Sequence, residues 1–242
     1  MRRGARSNKA LHLPSNSAFQ LWFGSLLAST LGARAASEAL LAVAERPSAR
    51  PREKKARPMF DPKEFVRFCQ AALEGPDPSA MIHAELLRIV AQPGEIEPPP
   101  AGDRTAWQLL RSPRLTVLHT RYPRSLRTPA HNHGAWAVVS VYRGREDNVR
   151  YVRDGANIRE VARQSLHPGD AVVLESTEIH DLATSSDRET CSIHVYGVDL
   201  YCPDGHSMWV PPSLEERAYD EKEFVRHTTA MTREARGVTA GR

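Results

Sequence analysis

Thr128-Pro129-Ala130-His131-Asn132-His133-Gly134-Ala135-Trp136 places two histidines one residue apart and runs directly into Ala137-Val138-Val139-Ser140-Val141-Tyr142. The apolar, β-branched continuation reads as a strand, and alternation along a strand puts both imidazoles on one face. That is half of a metal site. The other half is expected downstream, where Pro168-Gly169-Asp170 makes a turn and a strand leaves it at Ala171. His180 stands eleven residues after Gly169, on what reads as the returning strand.

Working outward, strand-like segments occur at 106–110, 115–120, 136–142, 148–153, 157–162, 171–174, 178–183 and 191–198. Turns between them include Gly144, Asp154-Gly155 and Ser185-Ser186-Asp187. Many short strands with Gly and Asp turns imply an all-β barrel or jelly roll. An HxH pair and a later single histidine, each beside a glycine-turned hairpin, resemble the two halves of the cupin motif. The expected core is therefore a cupin double-stranded β-helix. Two helices should precede it. Asp61-Pro62-Lys63-Glu64 is an N-cap, a first-turn proline and a capping glutamate, with Phe65, Phe68, Cys69, Ala72 and Leu73 as the apolar face. Asp77-Pro78 opens the second, which carries Met81, Ile82, Leu86, Leu87 and Val90 before Gln92-Pro93-Gly94. A helical tail is expected over 214–236.

The net charge of +4 is unevenly spread: residues 1–58 hold eleven Lys/Arg against three Glu, a net +8, which leaves −4 on the rest. The basic character thus belongs to the leader. No basic stripe interleaved with aromatics marks the body, so nucleic-acid binding is not expected. Residues 1–58 read as a disordered tail or an over-extended start, with a targeting peptide as the alternative, and 59–242 as one domain. The apolar run 18–31 is short for a membrane span. Cys69, Cys191 and Cys202 form no CxxC pair, which fits a reduced, cytoplasmic setting and small buried side chains.

The glutamate that usually follows HxH in a cupin is missing; Ala137 and Val138 occupy its place. What remains is a three-histidine site of His131, His133 and His180. Three neutral imidazoles leave a divalent metal its full charge and roughly three open positions if octahedral, enough for a chelating anionic substrate and dioxygen. Further on, Ser192, His194 and Tyr196 fall at i, i+2 and i+4 on one strand face. Hydroxyl, imidazole and phenol in a row can relay a proton.

These stretches, together with Tyr142-Arg143-Gly144-Arg145-Glu146 and Ile193-His194-Val195-Tyr196-Gly197, resemble the cysteine dioxygenase superfamily over roughly residues 105–200. Within it the likeness is to the bacterial thiol dioxygenases typified by 3-mercaptopropionate dioxygenase. The resemblance implies Fe(II) on His131, His133 and His180, and an outer-sphere triad of Ser192, His194 and Tyr196. It implies addition of both atoms of dioxygen to a small thiol, 3-mercaptopropionate or cysteine, giving a sulfinate, with no nucleic-acid or membrane partner. The mammalian-type enzyme crosslinks a cysteine after HxH to its tyrosine; Trp136, Ala137 and Val138 stand there, so no crosslink is expected. The bacterial type places a glutamine upstream for the substrate carboxylate. Gln108, 23 residues before His131, is the candidate, with Arg111, Arg114 and Arg121 as rivals that read as surface charges. Asn132 should face away from the metal, and Trp136 should help wall off solvent. His12, His83, His119, His167, His206 and His227 read as structural or surface residues. A three-histidine cupin with another metal, or a binding protein without catalysis, stays open at this stage.

Overall fold

The structure is a computed structural model and describes residues 60–185, 187–202 and 205–237. The expected leader over 1–58 lies outside them. In chain order the elements are α1 (Pro62–Ala72), α2 (Pro78–Val90), a 3-10 turn (Pro93–Glu95), β1 (Ala106–Ser112), β2 (Leu115–Tyr122), β3 (Ala130–His131), β4 (Ala137–Arg143), β5 (Glu146–Asp154), β6 (Asn157–Leu166), β7 (Ala171–Leu174), β8 (Ile179–Thr184), β9 (Thr190–Tyr196), β10 (Ser207–Trp209), β11 (Glu216–Ala218) and α3 (Glu221–Ala235). Both leading helices start as their sequences require. Asp61 accepts from the Lys63 N–H at 2.8 Å and Asp77 from the Ala80 N–H at 3.0 Å, each followed by a proline whose missing N–H costs nothing there. Among the described residues no helix is long and apolar enough to cross a membrane.

The strands form two sheets, ordered β1-β2-β9-β4-β7 and β11-β10-β3-β8-β5-β6, with antiparallel pairing throughout. The chain crosses from one sheet to the other after β2, β3, β4, β6, β7, β8 and β9, which winds a double-stranded β-helix.

The central strand β9 divides the interior. In antiparallel register Ser192 lies beside Thr120 and Val141, His194 beside Leu118 and Val139, and Tyr196 beside Thr116 and Ala137. Directly paired residues share a face, so these rows look inward. The alternating residues Cys191, Ile193 and Val195 look outward and, with Val117 and Val138, pack beneath Phe65, Cys69, Ile82, Leu86 and Val90 of the two helices. Ile82, Leu86 and Val90 are fully buried, each contributing about 1.5–3 kcal/mol of apolar burial. Free Cys69 and Cys191 are part of this core, and burial pushes the Cys69 thiol up to about 12.

One expectation is corrected. The HxH pair does not lie on a single strand: β3 ends at His131, and His133 belongs to the crossing into the other sheet. Two interactions steer that crossing. Asn132 accepts from the Ser207 N–H through its side chain at 2.7 Å and donates its own N–H to the Ser207 carbonyl at 3.2 Å. Gly134 then takes φ +63, where an added Cβ would sit 2.8 Å from the Gly205 carbonyl oxygen.

His119 lies on the helix side of β2, bonded to the Tyr142 hydroxyl at 2.8 Å and edge-on to Phe60. Burial lowers its pKa from 6.5 to about 4. Below the unfolded-state value of about 6.5 the unfolded chain takes a proton that the native state refuses, so stability present above that pH is lost on the way down to about 4. The group accounts for on the order of 3 kcal/mol of that loss. Denaturant unfolding of the metal-free His119→Gln variant should show a shallower fall in stability between pH 6.5 and 4 than the parent; equal slopes would contradict a buried neutral His119.

Candidate metal centre

Within the six-stranded sheet β3 and β8 pair His131 directly with His180, and the chain carries His133 into the same space. The ligand nitrogens of His131, His133 and His180 all lie within 4.8 Å of one another, and all three residues are buried. Partners on the far side of the His131 and His180 rings set their protonation. His131 Nδ1 is 3.0 Å from the Pro129 carbonyl, which can only accept, so Nδ1 carries the hydrogen and Nε2 a lone pair. His180 Nδ1 is 2.8 Å from Asn148 Oδ1, with the same result. His133 Nε2 stands 3.0 Å from His180 Nε2. Burial lowers all three pKa values, His131 to about 4, and mutual charge repulsion pushes His133 and His180 further down. Three neutral imidazoles, two of them with an outer partner that aims a lone pair inward, form a donor set that suits a divalent metal.

No protein-family model matches the chain. Among solved structures it is similar to a double-stranded β-helix protein from Klebsiella pneumoniae, at 13% identity and TM-score 0.33, covering 46% of this chain and 89% of that chain. It is also similar to a cupin superfamily protein from Desulfitobacterium hafniense, at 13% identity and TM-score 0.34, covering 45% and 88%. An RmlC-like cupin from Methanocaldococcus jannaschii gives 10% identity and TM-score 0.35, covering 43% and 89%. Likenesses at this level carry no argument, whereas the strand order and crossings belong to the chain itself: the fold is a double-stranded β-helix.

Within this barrel the inward row of β9 reaches the histidines. Ser192 Oγ is 2.9 Å from His194 Nε2, His194 Nδ1 is 3.0 Å from the Tyr196 hydroxyl, and the Tyr196 ring lies 4.8 Å from that of His133, centre to centre. Burial raises the Tyr196 pKa well above the ordinary phenol value, so the hydroxyl keeps its proton. A cavity of about 130 Å³ joins the three histidines to Tyr196.

Other expectations fall differently. Gln108 pairs with Leu118 and so lies on the inward face of its sheet, but β1 is the edge strand, and Gln108 is exposed and does not line the cavity. Arg111, Arg114 and Arg121 pair with Asp199, Glu74 and Glu189 away from the cavity. Trp136 packs with the helix-side core and against Gly197, so it does not wall the cavity. That wall is Leu118, Val139, Leu182 and Leu200, closed by Tyr219 and by Phe224 of α3, whose ring lies 5.0 Å from that of His131.

Sequence reasoning also missed four residues. Glu146 and Asn148 face inward from β5, and their i, i+2 spacing just after Gly144 was the available signal. Asn148 orients His180, while Glu146, fully buried, reaches to 3.5 Å from His194 Nε2. His206 lines the cavity with a buried Nε2 that has no hydrogen-bond partner, and Tyr122 lies edge-on to His194. Nothing local in the sequence marks either.

Asn148→Leu should leave the fold intact and weaken divalent-metal affinity about 10- to 100-fold, because His180 loses the group that fixes its tautomer. Titration with Zn(II) against a chromophoric competitor measures it; unchanged affinity would contradict that role.

Proposed function

We propose that the chain is a non-haem Fe(II) thiol dioxygenase that converts a small thiol, 3-mercaptopropionate or cysteine, to its sulfinate. The observation that carries this reading is the meeting of a neutral three-histidine group and a Ser192-His194-Tyr196 row at one cavity of about 130 Å³. The reaction is RSH + O2 → RSO2H. Both oxygen atoms end on sulfur, and no external reductant is consumed.

His131, His133 and His180 would hold the iron. Bound Fe(II) would supply the redox chemistry that joins dioxygen to sulfur. The remaining tasks belong to the chain. Three neutral ligands leave the site's positive charge to be met by a substrate thiolate and a second anionic or amine donor. Tyr196, protonated and held by His194, offers its phenol beside His133 and can exchange a hydrogen bond with substrate or dioxygen. Leu118, Val139, Leu182 and Phe224 keep bulk water from the reacting atoms. Among the described residues no Arg or Lys lines the cavity, so a substrate carboxylate would rely on the metal and on phenol hydroxyls. On this reading the partners are a small thiol and O2, with no nucleic acid or membrane, in a cytoplasmic setting.

Oxygen uptake by the anaerobically Fe(II)-loaded protein, with 3-mercaptopropionate, cysteine and cysteamine in turn, tests the reading. Uptake matched by one sulfinate is expected with one of the two carboxylate thiols, and iron-loaded protein that oxidises none would contradict it. His180→Ala should lose both iron and activity, and Tyr196→Phe should keep iron while turnover falls about 100-fold or more.

A further inference from the structure

Glu146 is fully buried, yet one of its carboxylate oxygens, Oε2, has no hydrogen-bond partner. Its other oxygen, Oε1, accepts from Asn148 Nδ2 at 3.3 Å. A carboxylate without solvent needs a compensating proton or cation, and the titratable group facing Oε2 is the His194 ring, with Nε2 at 3.5 Å.

Hydrogen positions around His194 follow from its neighbours. Thr120 Oγ1 donates to the Ser192 carbonyl at 3.1 Å, so the 2.6 Å contact between Thr120 Oγ1 and Ser192 Oγ takes its hydrogen from Ser192. Ser192 Oγ, having given its hydrogen to Thr120, is an acceptor toward His194 Nε2 at 2.9 Å. Ser192 Oγ and Glu146 Oε2 therefore both call for a hydrogen on His194 Nε2. His194 Nδ1 is left with a lone pair, and the Tyr196 O–H donates to it across 3.0 Å.

We propose that Glu146 is a positioning and proton-holding residue: it fixes His194 in the Nε2–H form and is the end of a relay that takes the substrate's thiol proton out of the cavity. The substrate part rests on the thiol dioxygenase reading. The S–H proton passes to the Tyr196 oxygen as the Tyr196 proton passes to His194 Nδ1, and the His194 Nε2 proton passes to Glu146 Oε2. The thiol becomes a thiolate, the carboxylate becomes a carboxylic acid, and His194 changes tautomer with no net change of charge. Glu146 also touches Asn148, which orients His180, so one buried side chain joins the relay to the metal ligands.

Glu146→Gln discriminates because its orientation is dictated. Asn148 Oδ1 is committed to the His180 Nδ1–H, so Asn148 Nδ2 faces residue 146 as a donor. The glutamine carbonyl must meet that donor, which turns its NH2 toward His194 Nε2 and demands the opposite tautomer there, with the two hydroxyls turning so that Thr120 donates to Ser192 Oγ and Ser192 no longer requires a hydrogen on Nε2.

The experiment is ¹⁵N NMR of the histidine rings in the Zn(II)-loaded full chain, wild type and Glu146→Gln, with His194 assigned from a His194→Gln spectrum. The expected result is a protonated Nε2 and unprotonated Nδ1 for His194 in wild type, reversed in Glu146→Gln. A wild-type His194 with its Nε2 unprotonated would overturn the proposal whether or not the variant folds. An unchanged His194 in a folded Glu146→Gln protein would overturn it too. With Fe(II) and the active thiol, kcat of Glu146→Gln should fall about 100-fold at unchanged iron content, with Glu146→Asp recovering part of it; wild-type kcat in Glu146→Gln would overturn the relay. If wild type oxidises no thiol, the function reading fails, while the NMR result still decides the Glu146–His194 assignment.

Discussion

Three buried imidazole rings whose ligand nitrogens crowd within 4.8 Å of one another are best satisfied by a cation among them. The barrel is built to hold them in that arrangement. The Pro129 carbonyl and Asn148 Oδ1 each claim an Nδ1–H and thereby aim a lone pair at the common point. The pairing of β3 with β8 puts His131 opposite His180, and the Asn132–Ser207 bonds with the Gly134 turn deliver His133 from the crossing between sheets. Loss of any of these leaves the remaining rings as buried polar groups without adequate partners.

The sheet containing β9 carries two kinds of chemistry on its two faces. Outward it is an apolar seat for α1 and α2, where burial supplies stability. Inward it is polar, with Thr120, Ser192, His194 and Tyr196 linked in one run of hydrogen bonds. A polar run inside a protein is tolerable because each member has a partner. It also needs a rigid support, which the helix-packed outer face provides. The other closure is more local. Tyr219 and Phe224 cover the histidines, and α3 is tied down by the Arg127 N–H to Thr232 Oγ1 and by Arg236 to the Arg124 carbonyl.

Strand periodicity made much of this legible. All eight strand segments read from the sequence are present, both leading helices begin at their Asp-Pro caps, and α3 lies inside the expected tail. The i, i+2, i+4 spacing of Ser192, His194 and Tyr196 sufficed to place them on one face, since β9 is central and regular. Alternation failed for the HxH pair because it spans a crossing between sheets, where tertiary hydrogen bonds rather than the pleat decide direction. Gln108 shows a second limit: the correct face was readable, but its position on an edge strand depends on sheet order. Glu146 and His206 were hidden for a related reason. A charged residue just after a glycine turn and a histidine in an irregular segment look like surface chemistry until distant strands close over them.

The most direct test of the central claim is anomalous diffraction at the iron edge from crystals of the chain loaded anaerobically with Fe(II). The expected result is a single strong peak bonded to Nε2 of His131, His133 and His180, with His194 and Glu146 outside bonding distance. A metal held by other residues, or a fully loaded crystal with these three rings unligated, would contradict it.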